Sequence, residues 1–96
     1  MDLTFVWDPK KARANIEKHT VNFAEAMEVF SDPLARIIGD EDHSVDERRE
    51  IIIGHSQAKR LLMVCFTEPE QGRIRIISAR RATRIERQDY EEYLRY

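Results

Sequence analysis

With 96 residues, 35% of them charged and a formal net charge of −2, the chain is long enough for one domain with a single thin core. Its 42% apolar content argues against disorder, and its slight acidity argues against a protein that coats nucleic acid indiscriminately. Cys65, the single cysteine, excludes a disulfide framework and sits in an apolar run that reads as core. No apolar run nears the roughly 20 residues needed to cross a bilayer, and the start Met-Asp-Leu-Thr lacks the regions of a signal peptide. A cytoplasmic protein is expected.

Residues 3–7, Leu-Thr-Phe-Val-Trp, form a short β-prone run that Asp8-Pro9 ends, with Asp8 able to cap a helix and Pro9 suited to its first position. Over Lys10–Thr20 the spacing of Ala12, Ile16 and His19 predicts the inner face of a helix, with Lys11, Asn15 and Lys18 on a polar stripe beside it. Asn22 and Glu25 resemble a capping box, and Phe23, Met27 and Phe30 give a second helix its apolar face. That helix should stop at Ser31-Asp32-Pro33.

The period then changes to strands over 34–39, 50–56, 60–67 and 73–79, with Leu61–Phe66 apolar on both faces as a central strand requires. Residues 40–48, Asp-Glu-Asp-His-Ser-Val-Asp-Glu-Arg, read as an exposed charged loop. Thr83 and Glu86 form another capping box, and Ile85, Tyr93 and Leu94 are expected to dock a last helix running to Tyr96. The order β-α-α-β-β-β-β-α predicts an α+β domain in which a mainly antiparallel sheet carries both early helices on one face. Its other face is left partly open.

Charge is unevenly distributed. Residues 73–96 hold seven Arg against four acids, whereas residues 25–50 hold nine acids against three Arg. Arginines that alternate along a strand and continue into a capped helix suit phosphate oxygens, because each guanidinium offers a rigid fork of donors. Arg73, Arg75 and Arg80 are therefore candidates for binding RNA or stabilising a pentacoordinate phosphorus. The competing reading is an edge strand protected by charge. Plain alternation also puts Arg80 opposite Arg73 and Arg75 unless a bulge intervenes.

His19 is the candidate for proton transfer, against the plainer reading of a helix-terminal imidazole. Lys11, Asn15 and Lys18 could follow a phosphate backbone or simply form a solvated stripe, and Trp7 could stack on a base or anchor the core. Histidine spacing gives no metal site. No phosphate loop, nucleophile elbow or dinucleotide fingerprint occurs, and no cofactor is expected.

Taken together, Phe5-Val6-Trp7-Asp8-Pro9-Lys10-Lys11, Asn15, Lys18-His19, Val21-Asn22-Phe23, Glu25-Ala26, Val29-Phe30-Ser31-Asp32-Pro33, Arg49, Ile53-Gly54, Ile74-Arg75-Ile76-Ile77-Ser78-Ala79-Arg80, Glu86-Arg87 and Tyr90 resemble the BrnT family. The resemblance implies a RelE-like fold and an endoribonuclease toxin of a type II toxin-antitoxin system that inhibits growth. It also implies a dimeric, DNA-binding BrnA-type antitoxin that shields the toxin, and a complex that binds its own promoter. On this reading His19 moves a proton, Lys18 and Arg80 stabilise phosphate charge, and Trp7, Lys11, Asn15, Arg73 and Arg75 bind RNA. Thr20 departs from the glycine usual after the Lys-His pair. Since threonine disfavours the left-handed conformation of such a helix end, a different turn is expected there. The alternatives are a noncatalytic protein-binding module using the arginine-bearing face and, less in keeping with the acidity, a DNA-binding regulator acting alone.

Overall fold

Five strands and three helices make up the chain in a computed structural model that describes residues 2–41 and 48–95. In order they are β1 (Thr4–Val6), α1 (Pro9–His19), α2 (Phe23–Glu28), β2 (Arg36–Glu41), β3 (Arg49–His55), β4 (Leu61–Glu70), β5 (Arg73–Arg81) and α3 (Arg84–Leu94), with a 3-10 turn at Val29–Ser31. The strands lie in the order β1-β5-β4-β3-β2. All neighbours are antiparallel except β1, which runs parallel to β5 along Arg73–Arg75. The α+β expectation is met, and no helix among the described residues is long and apolar enough to cross a membrane. The acidic stretch 42–47, with His43, and Tyr96 lie outside the described residues.

β4 is the central strand its composition predicts, with every residue from Leu61 to Thr67 buried. Its alternation divides the protein into two apolar clusters. Leu62, Val64 and Phe66 meet Ile74 and Ile76 of β5 beneath Val21, Phe23, Ala26 and Val29, so α2 and the turn before it close one face. Leu61 and Met63 meet Ile53 and Tyr90 on the other face, where α3 covers one end.

Both early helices begin as their caps require. Asp8 accepts the Lys10 N–H at 2.8 Å ahead of Pro9, and Asn22 accepts the Glu25 N–H at 2.7 Å. The Asn22–Glu25 capping box is only half formed, since the Glu25 side chain turns instead to Ser56 and Arg60, tying α2 to the β3–β4 hairpin. At α3 the box is complete.

Two helix faces differ from expectation. Ile16 is 47% exposed while Asn15 is 6% exposed, so the inner face of α1 runs through Ala12, Asn15 and His19. The cause is the bare edge of β5, whose backbone polar groups need a polar partner and not a methyl group. On α3, Ile85 is 69% exposed and Tyr93 and Leu94 are exposed as well, whereas Tyr90 docks at 2% and donates to the Leu34 carbonyl at 3.1 Å. Arg36 stacks on the outer Tyr93 ring, 3.5 Å from its centroid.

Thr20 keeps the left-handed helix end despite its side chain. Its backbone sits at φ 56°, ψ 30° with the N–H bonded to the Ile16 carbonyl, so the expected change of turn does not occur. The Thr20 carbonyl accepts from Arg60 at 3.0 Å, which holds the turn against the hairpin.

Candidate active site

A bulge in β5 decides which arginines share a face of the sheet. Cys65 pairs with Ser78, but its neighbour Phe66 pairs with Ile76, leaving one extra residue in β5. Since Thr67 pairs with Arg75 and Met63 with Arg80, the bulge brings Arg75, Ser78 and Arg80 onto one face. Simple alternation would have separated them. The face they share is the one only partly covered by α3. Arg36 joins it, since it pairs with Ile53. So does Arg49, two residues before Ile51 on β3. One sheet face thus gathers arginines from three strands.

At the end of β5 that face forms a cleft of about 230 Å³, lined by His19, Ile51, Met63, Cys65, Ser78, Ala79 and Arg80. The floor is apolar, and His19, Ser78 and Arg80 supply its polar groups. His19 reaches it because β1 stops beside Arg75 and α1 takes up the next part of the β5 edge. There Asn15 substitutes for a neighbouring strand. Its Nδ2 donates to the carbonyls of Ala79 at 2.8 Å and Val21 at 2.9 Å, and its Oδ1 accepts the Ala79 N–H at 3.1 Å.

Arg80 is held as well as placed. Its Nη1 and Nη2 donate to the two carboxylate oxygens of Glu86, both at 2.8 Å, and Nη1 also reaches the Arg81 carbonyl at 3.2 Å. Glu86 simultaneously accepts the Thr83 N–H at 2.8 Å as the capping residue of α3. The paired guanidinium, reinforced by that N–H, lowers the Glu86 carboxyl to about 2, and Glu86 in turn raises Arg80. Such a pair has little net charge, yet the Nε–H and second Nη2–H of Arg80 still form a parallel fork suited to two phosphate oxygens.

The other expected site residues fall into three groups. Lys11 and Arg75 meet in a second cleft of about 210 Å³ with Asp8, Ile76 and Ile77. Lys18 is exposed on the adjoining side of α1 and does not line the histidine cleft, and Arg73 is exposed at the far end of β5. Asn15 and Trp7 serve the fold. Asn15 is buried with its amide bound to backbone, so it is not presented to RNA, and Trp7 packs edge-on against Phe23 with ring centroids 5.9 Å apart. Arg49 entered the sequence reading only as part of the family resemblance, with no role at the site, although the alternation Arg49-Ile51-Ile53 places it on this face. It also gave Glu86 a capping role alone, although its spacing from Arg80 across a tight strand-to-helix turn suits an ion pair.

A small α+β domain with an arginine-rich sheet face and a histidine at the edge of its cleft has the parts of a protein that works on phosphodiesters. The family described as ribonuclease toxin, BrnT, of type II toxin-antitoxin system matches residues 7–86, and the chain belongs to that family. The crystal structure of the Brucella abortus ribonuclease toxin, BrnT, is similar with a TM-score of 0.66 and 24% sequence identity, covering 85% of this chain and 99% of that one. That likeness bears on the fold. Among curated proteins none matches. Family membership makes the chain a ribonuclease toxin with an RNA substrate and an antitoxin partner.

Proposed function

We propose that the chain cleaves RNA at the His19–Arg80 cleft without a metal, using the substrate's own 2′-hydroxyl. The 2′-oxygen bonds to phosphorus while the P–O5′ bond breaks. The 2′ proton passes to the His19 imidazole, and the 5′-oxygen takes a proton from solvent. The products are a 2′,3′-cyclic phosphate and a 5′-hydroxyl, with no water consumed. Charge accumulates on the phosphoryl oxygens in the transition state, and the remaining fork of Arg80 is the group suited to meet it. Lys11 and Arg75 hold the RNA backbone further along β5, with Arg73 and Lys18 adding exposed positive charge.

The single observation that carries this reading is that His19 and Arg80, 61 positions apart in the chain, line one cleft. The apolar floor between them suits the face of a nucleotide base. A BrnA-type antitoxin would neutralise the toxin by covering the arginine-bearing face, and the complex would bind its own promoter. Free toxin would arrest growth.

A substrate with a single 2′-deoxy substitution at the cleaved position tests the chemistry. RNA should be cut to a cyclic phosphate and the substituted strand should survive. Cleavage of both would contradict attack by the 2′-hydroxyl.

A further inference from the structure

Building on the ribonuclease reading, the geometry points to Asn15 as a positioning residue that sets the distance between His19 and Arg80. Its three hydrogen bonds end on Val21, which follows the α1 helix end, and on both backbone groups of Ala79. Ala79 lies between Ser78 and Arg80, two polar residues of the cleft. His19 lies one helical turn beyond Asn15, about 6 Å along the axis, on the same side of α1. One buried amide therefore fixes the histidine to the helix side of the cleft and the arginine to its strand side.

The amide pairs the open β5 edge and, through the same three bonds, ties that edge to the end of α1. The side chain is 6% exposed and directly flanks the apolar core, where a partly satisfied amide is costly. Here both of its polar atoms are used. Ala79 also follows the β5 bulge closely, so the same contact holds the strand where Arg75 and Arg80 come to share a face. Displacing reacting groups by about 1 Å can lower turnover on the order of 100-fold without removing any of them. Loss of this clamp should act in that way.

The test compares kcat and KM for cleavage of a defined RNA by the full chain and by Asn15→Asp, Asn15→Ala and Val29→Ala. Asn15→Asp keeps the size and the acceptor for the Ala79 N–H but cannot donate to either carbonyl. Val29 is fully buried in the same cluster and does not line the cleft, so its truncation reports instability alone. The Asn15 variants should lose on the order of 100-fold in kcat with KM little changed, while Val29→Ala keeps kcat per folded molecule. An unchanged kcat in folded Asn15 variants, or a rise in KM alone, would overturn the assignment.

Imidazole NMR signals give a readout independent of turnover. The His19 resonances should shift in the Asn15 variants while those of His55 stay in place. If the parent cleaves no RNA, the ribonuclease reading fails, and the NMR comparison alone decides the positioning claim. Unmoved His19 resonances would then refute it.

Discussion

Glu86 grips Arg80 through two hydrogen bonds of 2.8 Å while capping α3 with the same carboxylate, so one acid joins the cleft to the helix that follows it. Its folded-state pKa lies at about 2, below the ordinary glutamate value near 4.3. A depressed pKa contributes stability that is fully present above the unfolded-state value and is lost as pH falls through the folded one. Because both side chains are partly exposed, the contribution is nearer ~1 kcal/mol than the full shift would suggest. Urea unfolding should show Glu86→Gln less stable by about that amount at pH 7. The difference should shrink between about pH 4.5 and pH 2. A gap of equal size at both ends would contradict the pair.

Thr20 occupies the left-handed region at φ 56°, a conformation that costs a β-branched residue roughly 1–2 kcal/mol. Glycine removes that strain but adds freedom to the unfolded chain. Thr20→Gly should therefore gain roughly 0.5–1 kcal/mol, seen as a melting temperature a few degrees higher. Arg60 would keep its backbone contact with residue 20.

Gly54 has the opposite requirement. A Cβ built there would lie 2.7 Å from the Ala35 Cβ, 3.0 Å from Val29 Cγ1 and 3.2 Å from Asp32 Oδ2. The last atom also accepts the His55 N–H at 2.7 Å. Gly54→Ala should destabilise by about 1–3 kcal/mol through overpacking. Since Gly54 lies outside the cleft, turnover per folded molecule should be preserved, which combined urea unfolding and activity measurements can check.

Lys11 shares its cleft with Arg75, away from His19. Lys11→Ala should weaken RNA binding and lower the salt dependence of the affinity by about one phosphate contact, leaving kcat nearly unchanged. An unaltered salt slope would assign Lys11 to the solvated surface.

Local chemistry made much of the fold legible from residues alone. Asp8-Pro9, Asn22 and Thr83 start helices where their caps predict, and the doubly apolar Leu61–Phe66 lies at the centre of the sheet. The errors arose where long-range backbone pairing overrides local pattern. Asn15 reads as surface until the unpaired edge of β5 is known, and Ile16 reads as core for the same reason. The bulge near Ile77 has no glycine to announce it, yet it decides that Arg80 faces with Arg75. On α3, apolar character pointed to Ile85 and Tyr93, but the helix is oriented by Glu86 reaching Arg80 and Tyr90 reaching Leu34.

The most direct test of the central claim is cleavage of a defined RNA by the purified, antitoxin-free chain in EDTA, beside folded His19→Ala and Arg80→Ala proteins. Cleavage by the parent, with losses of at least roughly 100-fold in each variant, is the expected result for a proton-transfer group and a charge-stabilising group in one site. Undiminished cleavage by both variants would place the chemistry elsewhere on the molecule. A folded parent inactive both with and without ribosomes would leave the arginine face as a surface for binding a protein.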